Sequence, residues 1–566
     1  MSVLPPHDAK LFKIRWLRVL LVMLLLFGIL AIVVWEKLFH EYPQRLSDAD
    51  KFKYGSIGGE TSQGIPYWIW VVLPRVFPEH LPGPGGYSAL GLLWEPGYEM
   101  PIGFSKKRIG YERIAFNCAV CHTGSYRVRR DDGRLDLTEP VIGGPAIRFN
   151  PQAYLAFLAA CANDPRFNAD TLMSAIEYNT KLSFSDKLLY RHVLIPGTKK
   201  ALLEQSTAAA WMRTKPLWGP GRIDPFNPVK FGMLGMSPDA TVGNSDMMPL
   251  WKLGSTSRSR FHADGLSQNL LDCSLAGALG DGATRKSLPV QHIREIVASL
   301  SLMEPPKLSA VGKSSGPSTE QGFKLYKKNC AQCHEPGGDF TFASIKQSDD
   351  ESETIDDHHR PTISTDRNRL DMWNAPNEAG RWPFEIYNDF GNGYRWDLNT
   401  FTKTDGYIAL PLTGLLWRAP YLHNGSVPTL VDLLNEPMPT STVHNLLEQA
   451  QPGSYEQLLA LFSTADGPQF SRSQIIDTLA PLKPSVDRII AGARLLQRRP
   501  PMFYRGSDEL DLRHGGFAHT SDSLHPNSIA VPYITFIQGN SNAGHLYGTQ
   551  LSEQDKRALV EYLMTL

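Results

Sequence analysis

The sequence predicts a mainly α-helical protein, with two like domains and long irregular loops behind one N-terminal transmembrane helix. Three observations predict it. A Cys-x-x-Cys-His pentapeptide occurs twice, as Cys118-Ala119-Val120-Cys121-His122 and as Cys330-Ala331-Gln332-Cys333-His334. An uncharged apolar run from Val19 to Trp35 precedes both. Helical periodicity closes each half, over 290–302 and again over 552–566. A chain of 566 residues suits several domains rather than one. With 47 Gly and 42 Pro, long ordered loops are expected around compact cores. The 57 basic residues balance the 57 acidic ones, so nothing in the charge suggests nucleic acid as a partner.

The pentapeptide has a chemical reading. Two thiols at this spacing add across the two vinyl groups of haem, and the adjacent imidazole then lies under the iron. A zinc site would want a second Cys or His pair at short spacing, and none follows either copy. Cys118, Cys121, Cys330 and Cys333 are therefore the expected attachment residues for two haem c groups, with His122 and His334 as iron ligands. Of the six cysteines, Cys161 and Cys273 remain. A disulfide and two free thiols are both open for them.

The chain opens with Lys10, Lys13, Arg15 and Arg18, then the apolar run. Started at Trp16, it has roughly the twenty residues needed to cross a bilayer. Arg18 can snorkel to the headgroups, and Trp16 and Trp35 mark the two interfaces. The basic flank puts residues 1–40 on the cytoplasmic side and in the inner membrane, with the rest in the periplasm. The plain alternative is a cleaved signal peptide, for which the run is long and Ala31-Ile32-Val33 a weak cleavage site. Residues 41 to about 115 read as an irregular Gly-, Pro- and aromatic-rich wrap. Helices are expected over 151–158, 186–193 and 202–212, and over 290–302 before Glu304-Pro305-Pro306. The first domain spans 41–306. The second spans 318–566 and starts with a helix capped near Ser318 that leads into Cys330.

Two C-x-x-C-H domains in one chain resemble the dihaem cytochrome c peroxidase superfamily. Trp218-Gly219-Pro220-Gly221-Arg222, the stretch from Arg418 to Leu430 (Arg-Ala-Pro-Tyr-Leu-His-Asn-Gly-Ser-Val-Pro-Thr-Leu) and Gly544-His545-Leu546-Tyr547-Gly548-Thr549 narrow the resemblance to its rubber oxygenase branch. The resemblance implies a reactive N-terminal haem on His122 and an electron-transfer haem on His334. His545 is the implied second ligand of the latter, with His514, His519 and His525 as competitors. It also implies that Trp218 relays electrons between haems, and allows for a calcium ion between the domains. Arg222 suits a haem propionate, a bidentate partner. Leu217 and Met233 fall near positions where the branch carries phenylalanines in the distal pocket. His262 lies in a motif where this chain has Ala263 in place of an aromatic; ligand, second-layer donor and core residue all stay open for it. His423 reads as structural.

In the branch pattern, Arg499-Pro500 should follow the Leu430 segment within a few residues. Residues 436–497 are therefore an insertion, with helices expected over 455–462, 475–482 and 487–496, as a surface decoration or a docking element in preference to a lid. The leading functional expectation is a membrane-anchored dihaem oxygenase acting on an unsaturated apolar small molecule with dioxygen. Its partners are the lipid bilayer and a small redox protein. A peroxidase reducing hydrogen peroxide and a non-enzymatic dihaem electron carrier are the rivals.

Overall fold

The computed structural model describes residues 6–566 except 130–132, 138, 254–259, 313–315, 317, 351, 353, 374–379, 392–400, 464–478 and 525–527. Helix makes up 45% of it and strand 12%, as expected for a mainly α chain. Helix α1 (Pro6–Leu38) stands apart from the rest. Within its span Arg15–Leu38 an 18-residue window has a mean hydropathy of 3.0 and no buried residue, and the helix is long and apolar enough to cross a membrane.

Each C-x-x-C-H turn is seated in the same local arrangement. Helix α2 (Asp48–Tyr54) and helix α9 (Val290–Leu300) bury Phe52, Tyr54, Ile296 and Leu300 together with Ala119. Asn117 caps the turn that starts at Cys118: its Oδ1 accepts from Ala119 N at 3.0 Å, while Nδ2 donates to the carbonyls of Lys53 and Gly55. In the second half, α10 (Thr319–Asn329) runs into the short α11 (Ala331–His334) and crosses the closing helix Glu553–Leu563. Leu325, Tyr326, Ala558, Leu559 and Leu563 form that contact. Gly322 sits at the crossing, where a Cβ would stand 2.0 Å from the carbonyl oxygen of Ala558.

Between these pairs the first half adds a small antiparallel sheet, β1 (Ile65–Pro66), β3 (Tyr111–Phe116) and β2 (Phe104–Ile109) in that order. It also adds α3 (Tyr67–Val76), α4 (Pro151–Asn163) and α5 (Ala169–Asn179). The segments expected as separate helices at 186–193 and 202–212 are nearly continuous. Helix α6 (Phe184–Leu189) passes through one wide turn, Tyr190–Leu194, into α7 (Ile195–Ala208). Helix α8 (Leu270–Gly280) precedes α9. The insertion carries Thr440–Ala450, Ser454–Phe462 and Lys483–Leu495; half of the helix expected over 475–482 lies outside the described residues, and Ala480–Leu482 form a short 3-10 turn. These helices pack Val443, Leu447, Leu458 and Ile489 against Met502, Ile534 and Ile537 of the main body.

Gly322 gives a direct test. In an open helix interior, Ala is better than Gly by about 1 kcal/mol. Here the added methyl meets backbone that cannot rotate away, and overpacking costs about 1–3 kcal/mol or more. Gly322→Ala should therefore lower the thermal midpoint, and a rise in midpoint would show that the helices do not touch there.

Candidate functional site

The two motif histidines are held alike. His122 Nδ1 lies 2.7 Å from the carbonyl oxygen of Met248, and His334 Nδ1 lies 2.7 Å from that of Leu410. A carbonyl only accepts, so Nδ1 carries the proton and Nε2 keeps its lone pair for a metal. Both side chains are part-buried. Burial pushes His122 down to about 4 and lowers His334 as well, so both imidazoles are neutral at pH 7.

His545 faces His334. Their ring centres are 6.2 Å apart. Two imidazoles on opposite sides of one metal, each bonded at about 2.0–2.1 Å, have centres roughly 6 Å apart. The spacing therefore fits an iron between them. His545 takes up a left-handed backbone (φ 49°) directly after Gly544 (φ 72°). A Cβ at Gly544 would stand 2.3 Å from the carbonyl carbon of Ser364, so only glycine fits there. The competitors are engaged elsewhere. His514 Nδ1 pairs with Asp511 at 2.7 Å, and His519 Nδ1 with the Phe517 carbonyl at 3.1 Å; His525 lies outside the described residues.

The turn carrying His545 is clamped by Arg499, which is fully buried. Its guanidinium donates to the carbonyls of Asn542, Gly544, Leu433 and His545, at 2.6, 2.7, 3.0 and 3.0 Å. Sequence reasoning used Arg499 only to mark the end of the insertion. Nothing in its local pattern shows that its partners are backbone oxygens from two distant loops.

The other expected site residues fall into two groups. Leu217, Trp218 and Arg222 line a cavity of about 640 Å³. Ala153, Ala156 and Ala160 share one face of α4 and give the cavity its depth, while Tyr154, Phe157 and Cys161 on the other face enter the core. Ile534 and Ile537 form the opposite wall with Phe462 from the insertion. Trp218 is 2% exposed; its backbone N–H donates to Gln152 Oε1 at 2.9 Å, and its Nε1–H is buried without a partner. Arg222 is fully buried, donates to Asn540 Oδ1 at 2.8 Å and lies over the ring of Tyr533. Its Nε is also unmatched. These two buried donors suit an acceptor from a bound group, such as a haem carboxylate.

Met233 and His262 form the second group. Met233 packs between the cluster holding Cys118 and the one holding Phe226 and Leu266. His262 has φ 66°, lies near Phe226 and Phe401, and places Nε2 3.3 Å from Cys273 Sγ. Cys161 and Cys273 are thus free thiols in different surroundings. Asp281 was not foreseen: it ends α8 near Cys118 and Cys121, and burial raises its carboxyl to about 7. His423 stacks on Tyr407 with centroids 4.0 Å apart and bonds its hydroxyl at 3.0 Å. At the cavity rim Glu79, His80 and Asp164 converge, but Arg166 already pairs with both carboxylates.

Two substitutions probe the second centre. His545→Ala should turn the His334 haem high-spin and leave the His122 haem unchanged; two unchanged spectra would remove His545 from the ligand set. Arg499→Leu leaves four buried carbonyls unpaired, at about 1–3 kcal/mol each. It should give a mixed-spin His334 haem and a lower melting point, with partial recovery in Arg499→Lys. A fully low-spin spectrum in Arg499→Leu would make the clamp irrelevant to ligation.

Comparison with known proteins agrees with a cytochrome. The model of a family described as RoxA-like, cytochrome c-like matches residues 406–440. That stretch contains Leu410, the acceptor of His334, and the segment from Arg418 to Leu430. The match implies covalently bound haem c and supports a RoxA-like cytochrome branch. The chain is also 32% identical over 127 residues to "Uncharacterized protein y4iM" of Sinorhizobium fredii (strain NBRC 101917 / NGR234). That alignment covers 21% of this chain and 28% of the relative's length.

Proposed function

We propose that the chain is a membrane-anchored periplasmic dihaem oxygenase. It oxidises or cleaves an unsaturated apolar molecule at the haem held by Cys118, Cys121 and His122. The observation that carries this reading is the cavity beside Leu217 and Trp218. Its volume of about 640 Å³ falls within the roughly 300–1,000 Å³ usual for organic ligands. Hydrogen peroxide needs far less room. The walls are largely aliphatic, from α4, the 529–537 segment and Phe462, so a ligand is held by burial of its own apolar surface.

Bound haem supplies the oxygen chemistry. The chain supplies the rest. The Met248 carbonyl fixes the tautomer and tilt of His122. The aliphatic walls exclude water from the substrate. The free N–H of Trp218 and the guanidinium of Arg222 offer donors at the polar end of the cavity. Leu217, in place of an aromatic ring, leaves a pocket of different shape from that of the rubber oxygenases. The His334 and His545 pair favours an electron-transfer role. Bis-histidine ligation gives a lower potential than Met/His, which disfavours the peroxidase alternative. For a carrier, His262 would be the histidine to complete the first haem, but its Nε2 already meets Cys273.

Oxygen uptake by the purified full-length protein, measured across a panel of unsaturated apolar compounds, tests this function. Substrate-dependent uptake is expected. Ala156→Phe, which fills the cavity, should cut it about tenfold or more with both haem spectra preserved. Rapid reduction of peroxide with no oxygen uptake from any compound would replace this reading with the peroxidase.

A further inference from the structure

The end of α1 is fastened to the body of the protein rather than hung from a linker. Lys37 Nζ pairs with Asp186 Oδ1 of α6 at 2.7 Å. Gly110 N, at the tip of the β2–β3 hairpin, donates to the His40 carbonyl at 2.7 Å, and Tyr42 N donates to the Arg108 carbonyl at 2.9 Å. Trp35, His40 and Tyr42 follow one another in ring contact, with centroids 4.7 and 4.5 Å apart, and the Arg108 guanidinium lies over Tyr42. The helix that leaves the apolar span therefore has α6 and the hairpin tip within side-chain reach.

That same corner exposes large apolar side chains. Phe184 is 79% exposed, Leu188 45% and Val193 50%. Phe184 and Leu188 are one turn apart and share a face of α6. Tyr190 and Leu194, on the other side, are buried in the core. Tyr178, 75% exposed just before α6, is covered by the Arg75 guanidinium, and Phe39 at the foot of α1 is 63% exposed. Scattered exposed leucines are ordinary on a soluble surface. Phe184 and Leu188 on one face of α6, with Phe39 at the foot of the apolar span, are not scattered. Lys187 and Arg191 flank them, paired with Glu177 and Asp170, as charged residues flank the apolar face of an interfacial helix.

Resting on the reading of α1 as a membrane span, we propose that Phe184 and Leu188 of α6, with Phe39 at the foot of α1, embed in the surface of the bilayer that α1 crosses. They hold the domain down on the lipid as a second, monotopic contact. The occupant is lipid because α1 leads straight to this face and the Lys37–Asp186 pair fixes the two together. The body then cannot swing freely, and one side of the first half stays at the headgroup layer, where an apolar substrate would be concentrated.

The test uses full-length protein in vesicles of phosphatidylcholine and phosphatidylglycerol. A benzoylphenylalanine photo-crosslinker replaces Phe184 or Leu188, and in separate controls replaces Leu302 or Leu495, which are 80% and 84% exposed. Illumination should add the mass of a lipid at 184 and 188 but not at 302 or 495. Protein that resists a carbonate wash but shows no lipid adduct at 184 overturns the proposal while sparing the anchor. An adduct to a second copy of the chain also overturns it and makes the face a contact between protomers. Protein released by the wash overturns both the anchor and the contact.

Discussion

The rest of the site depends on one hydrogen bond made twice, from histidine Nδ1 to a backbone carbonyl. A C-x-x-C-H turn by itself sets the order of thiols and imidazole. It does not set the tilt of the ring or choose its tautomer. The Met248 and Leu410 carbonyls do both, each at 2.7 Å. Each bond also joins the motif to a loop 126 or 76 residues away in sequence. The loops are in turn fixed. Leu250 N bonds the Gly143 carbonyl at 2.7 Å, and Leu410 leads into the segment whose Trp417 Nε1 donates to the Pro306 carbonyl at 2.7 Å. Displacing either carbonyl would release the Nδ1–H and let Nε2 compete for the proton, which weakens Nε2 as a ligand.

The two motif histidines then differ in what lies opposite each. At His334 the opposing imidazole sits on a left-handed turn that the chain would not adopt unaided. Arg499 holds that turn by bonds to four carbonyls, a geometry suited to the fork of a guanidinium and not to an ammonium. Such a clamp suits a centre whose ligands must stay put while electrons pass. Near His122 the surroundings are softer. Met233, the Cys273 thiol and His262 are small or adaptable groups against an aromatic cluster. On the proposed division of labour, this is where a reacting molecule needs room.

Much of this was legible in the sequence. The thiols and both motif histidines sit in a short pattern whose spacing is itself the chemistry, so residue order sufficed for them, whereas His545 came only from the resemblance of the segment around it. The helices around 151–158 and 290–302 were visible because their apolar periodicity is local. What stayed hidden is what forms only when distant segments meet. The 153, 156 and 160 alanines look like ordinary helix formers until the 529–537 segment and Phe462 stand opposite and leave space between. For the same reason the insertion looked like decoration. Its helices do build a core of their own, but that core includes Ile534 and Ile537, which also line the cavity. The run of α6 and α7 was expected as two helices, over 186–193 and 202–212; a wide turn at 190–194 carries the helix through, and Pro196 falls in the first turn of α7, where no backbone donor is missed.

The cavity can keep its shape only if the two halves do not move apart, and buried charge ties them together. Asp508, fully buried in the second half, accepts from Arg127 Nε at 2.6 Å and Ser125 Oγ at 3.0 Å in the first, with Arg148 at 3.4 Å. Arg505 donates to the carbonyls of Pro220 and Gly221 at 2.7 and 3.0 Å and pairs with Asp246. Those two carbonyls directly follow Trp218 and Gly219, so the loop carrying Trp218 is gripped from the other half. Removing one partner of a buried ion pair costs about 3–5 kcal/mol, because the other charge is left uncompensated. That penalty rises with any opening that separates the pair. On the proposed oxygenase reading, domain rocking is therefore a poor way to admit a substrate.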